Sequence, residues 1–139
     1  MADRVELARC PIRSERDLPT VRKLLRAEAE AVAMGLVQVT KFVTAGSELA
    51  RNIIKYAPGA GGSLAMERLD TGRRHGIRAT FSDAGPGIPD MARALTDGFS
   101  TAGSLGIGLP GARRLVDEFS VESSPGHGTT VVIVSWRQH

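Results

Sequence analysis

Residues 76–87 read Gly76-Ile77-Arg78-Ala79-Thr80-Phe81-Ser82-Asp83-Ala84-Gly85-Pro86-Gly87, and the fold is decided here. Ile77, Ala79 and Phe81 alternate with Arg78, Thr80 and Ser82, the two-residue period of a strand with one buried face. Such alternation implies an antiparallel sheet covered on one side. The same parity puts Asp83 on the face of Ile77 and Phe81, where a carboxylate needs a polar partner. The chain then turns away through Gly85 and Gly87, residues that let backbone approach a ligand. A carboxylate so placed can accept a hydrogen bond from an exocyclic amine such as that of adenine. An ordinary Asx turn has the same residues, and on this stretch alone it stays slightly favoured.

Working outward, residues 63–70 form the preceding strand, joined through a turn at Thr71-Gly72. Before it, Val39, Phe42, Val43, Leu49, Ala50, Ile53 and Ile54 recur at helical spacing, predicting a helix over about 37–56 with Pro58-Gly59 as its terminator. Glu48 and Asn52 fall on its polar face. An earlier helix starts at a Ser14 or Asp17 cap with Pro19 in its first turn, carries Val21, Leu24, Leu25 and Val32, and stops at Gly35. Val5, Leu7 and Ala8 give a short first strand. On the other side, residues 84–107 are rich in Gly, Pro, Ser and Thr, with one helical turn near Asp90 to Leu95, and are too long for a plain connector, which suggests a lid. A third helix is expected over 108–119. A closing hairpin follows, with Val121 on one strand and 129–136 on the other around Pro125-Gly126-His127-Gly128. Its last strand is apolar on both faces and is therefore central.

The chain has 139 residues, 42% of them hydrophobic, with a net charge of +3 and no repeat or linker, so one domain over 1–139 is expected. A single cysteine cannot form an internal disulfide, and with no leader sequence the expected setting is cytoplasmic. Apolar runs such as Val131 to Val134 fall far short of the ~20 residues that span a bilayer. The basic residues are interspersed with acids and aromatics make up only 4%, so nucleic acid is not an expected partner. Glycine is the informative excess, clustered around 59–62, 85–87 and 98–111. Cys10, His75, His127 and Trp136 are read as structural.

Two further groups bear chemistry. Glu48 and Asn52, four apart on a helix, offer a carboxylate that can take a hydroxyl proton and an amide oxygen hard enough for Mg²⁺. Alone, that spacing is more often a solvated surface pair. Gly106-Ile107-Gly108-Leu109-Pro110-Gly111 opens the third helix, so backbone amides can face an anion. It is neither the Gly-x-Gly-x-x-Gly dinucleotide turn nor a P-loop.

The ordered set is what discriminates: Ser47-Glu48-Leu49-Ala50-Arg51-Asn52-Ile53, then 83–90 beginning Asp83-Ala84-Gly85-Pro86-Gly87, then Asp97-Gly98-Phe99-Ser100-Thr101, 104–111, and Arg113-Arg114-Leu115-Val116-Asp117-Glu118-Phe119-Ser120. In this order the chain resembles the GHKL family of ATP-binding proteins with the Bergerat fold, over about 42–134. It is similar within that family to the small RsbT-like switch kinases of bacterial partner-switching pathways, Pro110-Gly111 and the following arginines being the most branch-specific part.

The resemblance implies an α+β two-layer sandwich: a mixed, mostly antiparallel sheet with helices on one face enclosing an ATP site. It implies Glu48 as general base, Asn52 as Mg²⁺ ligand, and Asp83 on the adenine amine with Thr129 assisting. Gly85 and Gly87 would admit the base and sugar, and Gly106, Ile107, Gly108 and Leu109 would hold phosphates under a lid over about 89–105. The implied function is a serine/threonine protein kinase using ATP and Mg²⁺ to phosphorylate STAS-domain antagonist or scaffold proteins of a stressosome. Once released, it would bind and activate a PPM-type phosphatase through that enzyme's regulatory domain. The alternative is an anti-sigma factor that sequesters a sigma factor and phosphorylates its own anti-anti-sigma protein; a non-enzymatic nucleotide switch ranks last. One departure stands out. Members of the branch often carry a Lys after the paired lid hydroxyls, where this chain has the neutral Ala102-Gly103-Ser104.

Overall fold

The computed structural model describes residues 3–57, 59–85, 108–124 and 126–138. In chain order they form β1 (Asp3–Ile12), one 3-10 turn (Glu15–Asp17), α1 (Leu18–Ala31), α2 (Leu36–Tyr56), β2 (Gly62–Asp70), β3 (His75–Asp83), α3 (Gly108–Arg114), β4 (Glu118–Ser124) and β5 (Gly128–Trp136). The strands make one sheet in the order β1-β2-β3-β5-β4. The α+β sandwich expected is present, and every described pairing is antiparallel, where a mostly antiparallel sheet was expected. The reason lies in the connections. Two hairpins are antiparallel by construction, and between β1 and β2 two helices carry the chain across the sheet and back. β2 thus starts where β1 stops, with Ile12 opposite Gly62.

One sheet face is apolar and the helices cover it. Ile12, Leu64, Met66, Ile77, Ala79, Phe81 and Ile133 are buried there with Val21 and Leu25 of α1 and Val39, Phe42 and Leu49 of α2. Each of these side chains larger than alanine contributes roughly 1.5–3 kcal/mol by leaving water. α1 and α2 approach closely at Gly46, where an added Cβ would lie 2.4 Å from Leu25 Cδ1. On the opposite face Arg78 and Glu67 form a loose pair at 4.0 Å. Trp136 lies near the sheet end, donating its Nε1–H to Glu118 Oε2 at 2.6 Å under the Arg74 guanidinium, 4.2 Å from its ring.

Three boundaries differ from expectation. α1 ends at Ala31 because Ala33 takes a left-handed φ of 64°, while the Met34 and Ala33 N–H groups return to Ala29 and Glu30 carbonyls. Gly35, expected to stop α1, instead caps α2 in extended geometry. Ser14, the other cap expected, heads the 3-10 turn that leads into α1, and Asp17 stands at the N-cap of α1 without a side-chain bond to it: its Oδ2 accepts the Arg13 and Ser14 N–H groups at 2.8 and 3.2 Å, which holds its carboxyl below the usual range. α3 stops at Arg114, far short of Phe119, because the free edge of β5 captures the following residues: Phe119 pairs with Ile133 in β4. β5 is central as expected, between β3 and β4, and the first strand is longer than its apolar residues signalled. Cys10 is buried, and burial, followed by the Asp17 charge, pushes its thiol pKa up. Among the described residues no helix is long and apolar enough to cross a membrane.

Candidate functional site

Asp83 ends β3 with Gly62 of β2 opposite on one side and Thr129 of β5 on the other. Its Oδ1 accepts the Gly85 N–H at 2.9 Å and the Thr129 N–H at 3.3 Å. These are the polar partners that the strand parity demanded. Both bonds fall on one oxygen, so Oδ2 is the atom that can accept from an exocyclic amine. Thr129 shares a 2.8 Å hydroxyl bond with Ser123, its neighbour across the hairpin.

Close backbone packing shapes this edge. A Cβ on Gly128, whose φ is +83°, would lie 2.1 Å from the Asp83 carbonyl oxygen, and one on Gly62 would lie 2.3 Å from that of Ser82. A Cβ on Gly85 would meet Ala57 Cβ at 2.7 Å, so the end of α2 abuts the Asp83 turn. The Gly61 N–H reaches the Ala57 carbonyl, and the Ala84 N–H reaches that of Gly61. Ala57, Gly61, Gly62 and Ser123 were not singled out from sequence; the glycine cluster at 59–62 signalled the two glycines and nothing signalled Ala57 or Ser123.

From this edge α2 leads away to Asn52 and Glu48. Glu48, Arg51, Asn52 and Lys55 follow the i, i+3, i+4, i+7 pattern of one helix face. About 13 Å of helix axis separates Ala57 from Glu48 at the standard rise, comparable with an extended nucleoside triphosphate. Glu48 is only 3% exposed, which corrects its assignment to a polar surface. All of residues 45–50 are buried, because α2 is flanked by α1 and α3 as well as by the sheet.

Arg51 Nη1 lies 3.5 Å from Glu48 Oε1. On the other side Ser47 donates to the Val43 carbonyl at 2.7 Å and accepts from Arg22 Nε at 3.3 Å, tying α1 to the turn that presents Glu48. A buried carboxylate with one cationic neighbour among the described residues depends on it, since removing the neighbour leaves an uncompensated charge. Asn52 is half-buried one residue beyond Arg51, its amide oxygen a hard donor suited to Mg²⁺. Leu109 and Ala112 of α3 are buried and belong to the same core as α2.

The structure thus brings Asp83, Gly85 and Thr129 to one edge, sets Glu48 and Asn52 along the adjoining helix, and starts α3 with Gly108 and Leu109. Gly87, Gly106, Ile107 and the expected lid over 89–105 lie outside the described residues.

Residues 38–138 match the family described as histidine kinase-, DNA gyrase B-, and HSP90-like ATPase. The chain is 42% identical over 125 residues to the serine/threonine-protein kinase RsbT of Bacillus subtilis (strain 168), covering 90% of this chain and 92% of that protein. It is 31% identical over 97 residues to the anti-sigma F factor of Bacillus licheniformis, covering 68% of this chain and 66% of that one. Among solved structures, the RsbU and RsbW domains of Rv1364c from Mycobacterium tuberculosis match with a TM-score of 0.63 at 20% identity. That match covers 99% of this chain and 32% of the other, a likeness of fold alone.

Proposed function

The chain belongs to the histidine kinase-, DNA gyrase B-, and HSP90-like ATPase family, and from that premise we propose that it is a cytoplasmic serine/threonine protein kinase of a partner-switching pathway. Its substrates are STAS-domain antagonist or scaffold proteins, and on release it binds and activates a PPM-type phosphatase. The observation that carries this reading is the buried carboxylate of Glu48 on the helix face of Asn52, joined at the end of α2 to the Asp83 edge. A site that only bound nucleotide has little use for a buried carboxylate one turn from a metal ligand.

In this reading Asp83 Oδ2 accepts from the adenine amine, Gly85 admits the base, and Thr129 holds Asp83 through its N–H. Gly87, Gly106, Ile107, Gly108 and Leu109 line the sugar and phosphates. Asn52 holds Mg²⁺, which neutralises phosphate charge. Glu48 orients a seryl or threonyl hydroxyl and takes its proton as the oxygen bonds to the γ-phosphorus. The bond to the β-phosphate's bridging oxygen breaks, and ADP leaves with its electron pair. All of 1–139 acts as one unit.

The test is phosphoryl transfer from γ-labelled Mg-ATP to purified STAS-domain proteins of the same genome, with Glu48→Gln as control. Label on Ser or Thr of one protein, lost in the control, is the expected result; ATP binding without transfer overturns the kinase. The likeness to an anti-sigma factor motivates the second reading. Capture of a sigma factor without activation of a phosphatase would select it.

A further inference from the structure

We propose that Arg51 is the cation that stabilises the phosphoryl group during transfer, reaching it from the turn of α2 that carries Glu48; this rests on the kinase reading above. Phosphoryl transfer depends on positive charge at the three equatorial oxygens. The lid sequence does not supply it where expected, since Ser100-Thr101 is followed by neutral residues and Arg93 is the only Lys or Arg between Asp83 and Ala112. A cation beside the base is a further source of that charge.

Geometry selects the source. The base must lie within hydrogen-bond reach of the hydroxyl that attacks the phosphorus. A guanidinium 3.5 Å from that base is therefore within a side-chain swing of the phosphoryl oxygens. The Arg51–Glu48 contact is longer than the 2.7–2.9 Å of a close charge-assisted bond. It involves one terminal nitrogen, leaving other N–H donors of the fork for a second anion. The Arg51 side chain is 39% exposed, so packing does not lock it onto Glu48. Arg22 has another duty, its Nε being spent on Ser47.

The step itself favours the exchange. As the acceptor oxygen bonds to phosphorus and its proton passes to Glu48, the carboxylate loses its charge and its hold on Arg51. Over the same interval negative charge sits on the phosphoryl oxygens while the bond to ADP breaks. Arg51 thus passes from an anion being neutralised to one that needs it, without crossing the site.

The experiment compares wild type, Arg51→Gln and Arg51→Lys in three measurements: transfer to the labelled STAS protein, affinity for Mg-ADP, and affinity for Mg-ADP with aluminium fluoride, a mimic of the group in flight. Expected for Arg51→Gln is a kcat loss on the order of 10²–10³-fold, with Mg-ADP affinity within about twofold. Affinity for the aluminium fluoride complex falls at least about tenfold, and added guanidinium partly restores transfer. Arg51→Lys keeps more of both, since it keeps the charge without the fork. If Arg51→Gln lowers only the melting temperature, with the aluminium fluoride complex bound as in wild type, Arg51 merely neutralises Glu48 and the proposal is wrong. A wild type that binds Mg-ATP and labels nothing overturns the kinase reading, and this proposal with it; wild-type transfer that Arg51→Gln leaves intact overturns this proposal alone.

Discussion

At the Asp83 edge the candidate site is made of backbone, with strand ends and the end of α2 packed so tightly that Gly62, Gly85 and Gly128 leave no room for a Cβ. Along α2 it is made of side chains: Glu48, Arg51 and Asn52 hang from one helix face, held by Ser47 and by the packing of α1 and α3. Backbone geometry of the first kind is fixed once the sheet pairs. Side-chain geometry of the second kind adjusts with its neighbours. The edge is therefore suited to holding a rigid ring and the helix face to a group whose charge moves, so substitutions should divide into those that change affinity and those that change rate.

The largest effect tests the rate side. Glu48→Gln keeps shape and burial while removing the base, and transfer should fall about 10²–10⁴-fold with ATP affinity, read by calorimetry, changed less than about twofold. Equal losses in both would erase the division. Next is Gly128→Val, which forces a β-branched residue to φ +83° with Cβ against the Asp83 carbonyl. It should lower unfolding free energy by about 3 kcal/mol or more in a urea titration; a loss under about 1 kcal/mol would show the edge to be pliable. Asp83→Asn is smaller. The amide still accepts the Gly85 and Thr129 N–H groups through Oδ1 but turns a donor toward the adenine amine, so ADP affinity should drop about tenfold, near 1.4 kcal/mol, with the melting temperature nearly unchanged. Unaltered affinity would refute the adenine assignment.

The same contrast explains what the sequence could tell. Asp83 was legible because strand parity is local: Ile77, Ala79 and Phe81 place it without knowledge of any other element. The reason for Gly62 was not, because its need for no side chain comes from pairing with Asp83 across the sheet. Glu48 was misplaced because helical periodicity sees one helix at a time, and α2 is covered on more than one side. The boundary of α1 was missed because Ala33 accepts a left-handed turn that glycine would announce, at roughly 1–2 kcal/mol. The antiparallel pairing of β1 with β2 follows from having two helices rather than one between them.

The smallest effect probes how far the helix face depends on its supports. Ser47 touches neither end of the Asp83 edge; it ties Val43 and Arg22 to the turn that presents Glu48. In Ser47→Ala the Arg22 bond is lost, for a net change of about 0.5–1.5 kcal/mol in stability, toward the lower end because Arg22 is partly solvated. If side-chain support sets the position of Glu48, kcat should fall about two- to fivefold while ADP affinity stays put, because the adenine end is held by backbone that Ser47 does not reach. A loss of ADP affinity with kcat preserved would mean that the tilt of α2 is transmitted to Ala57 and Gly85. In that case the two halves of the site move as one body.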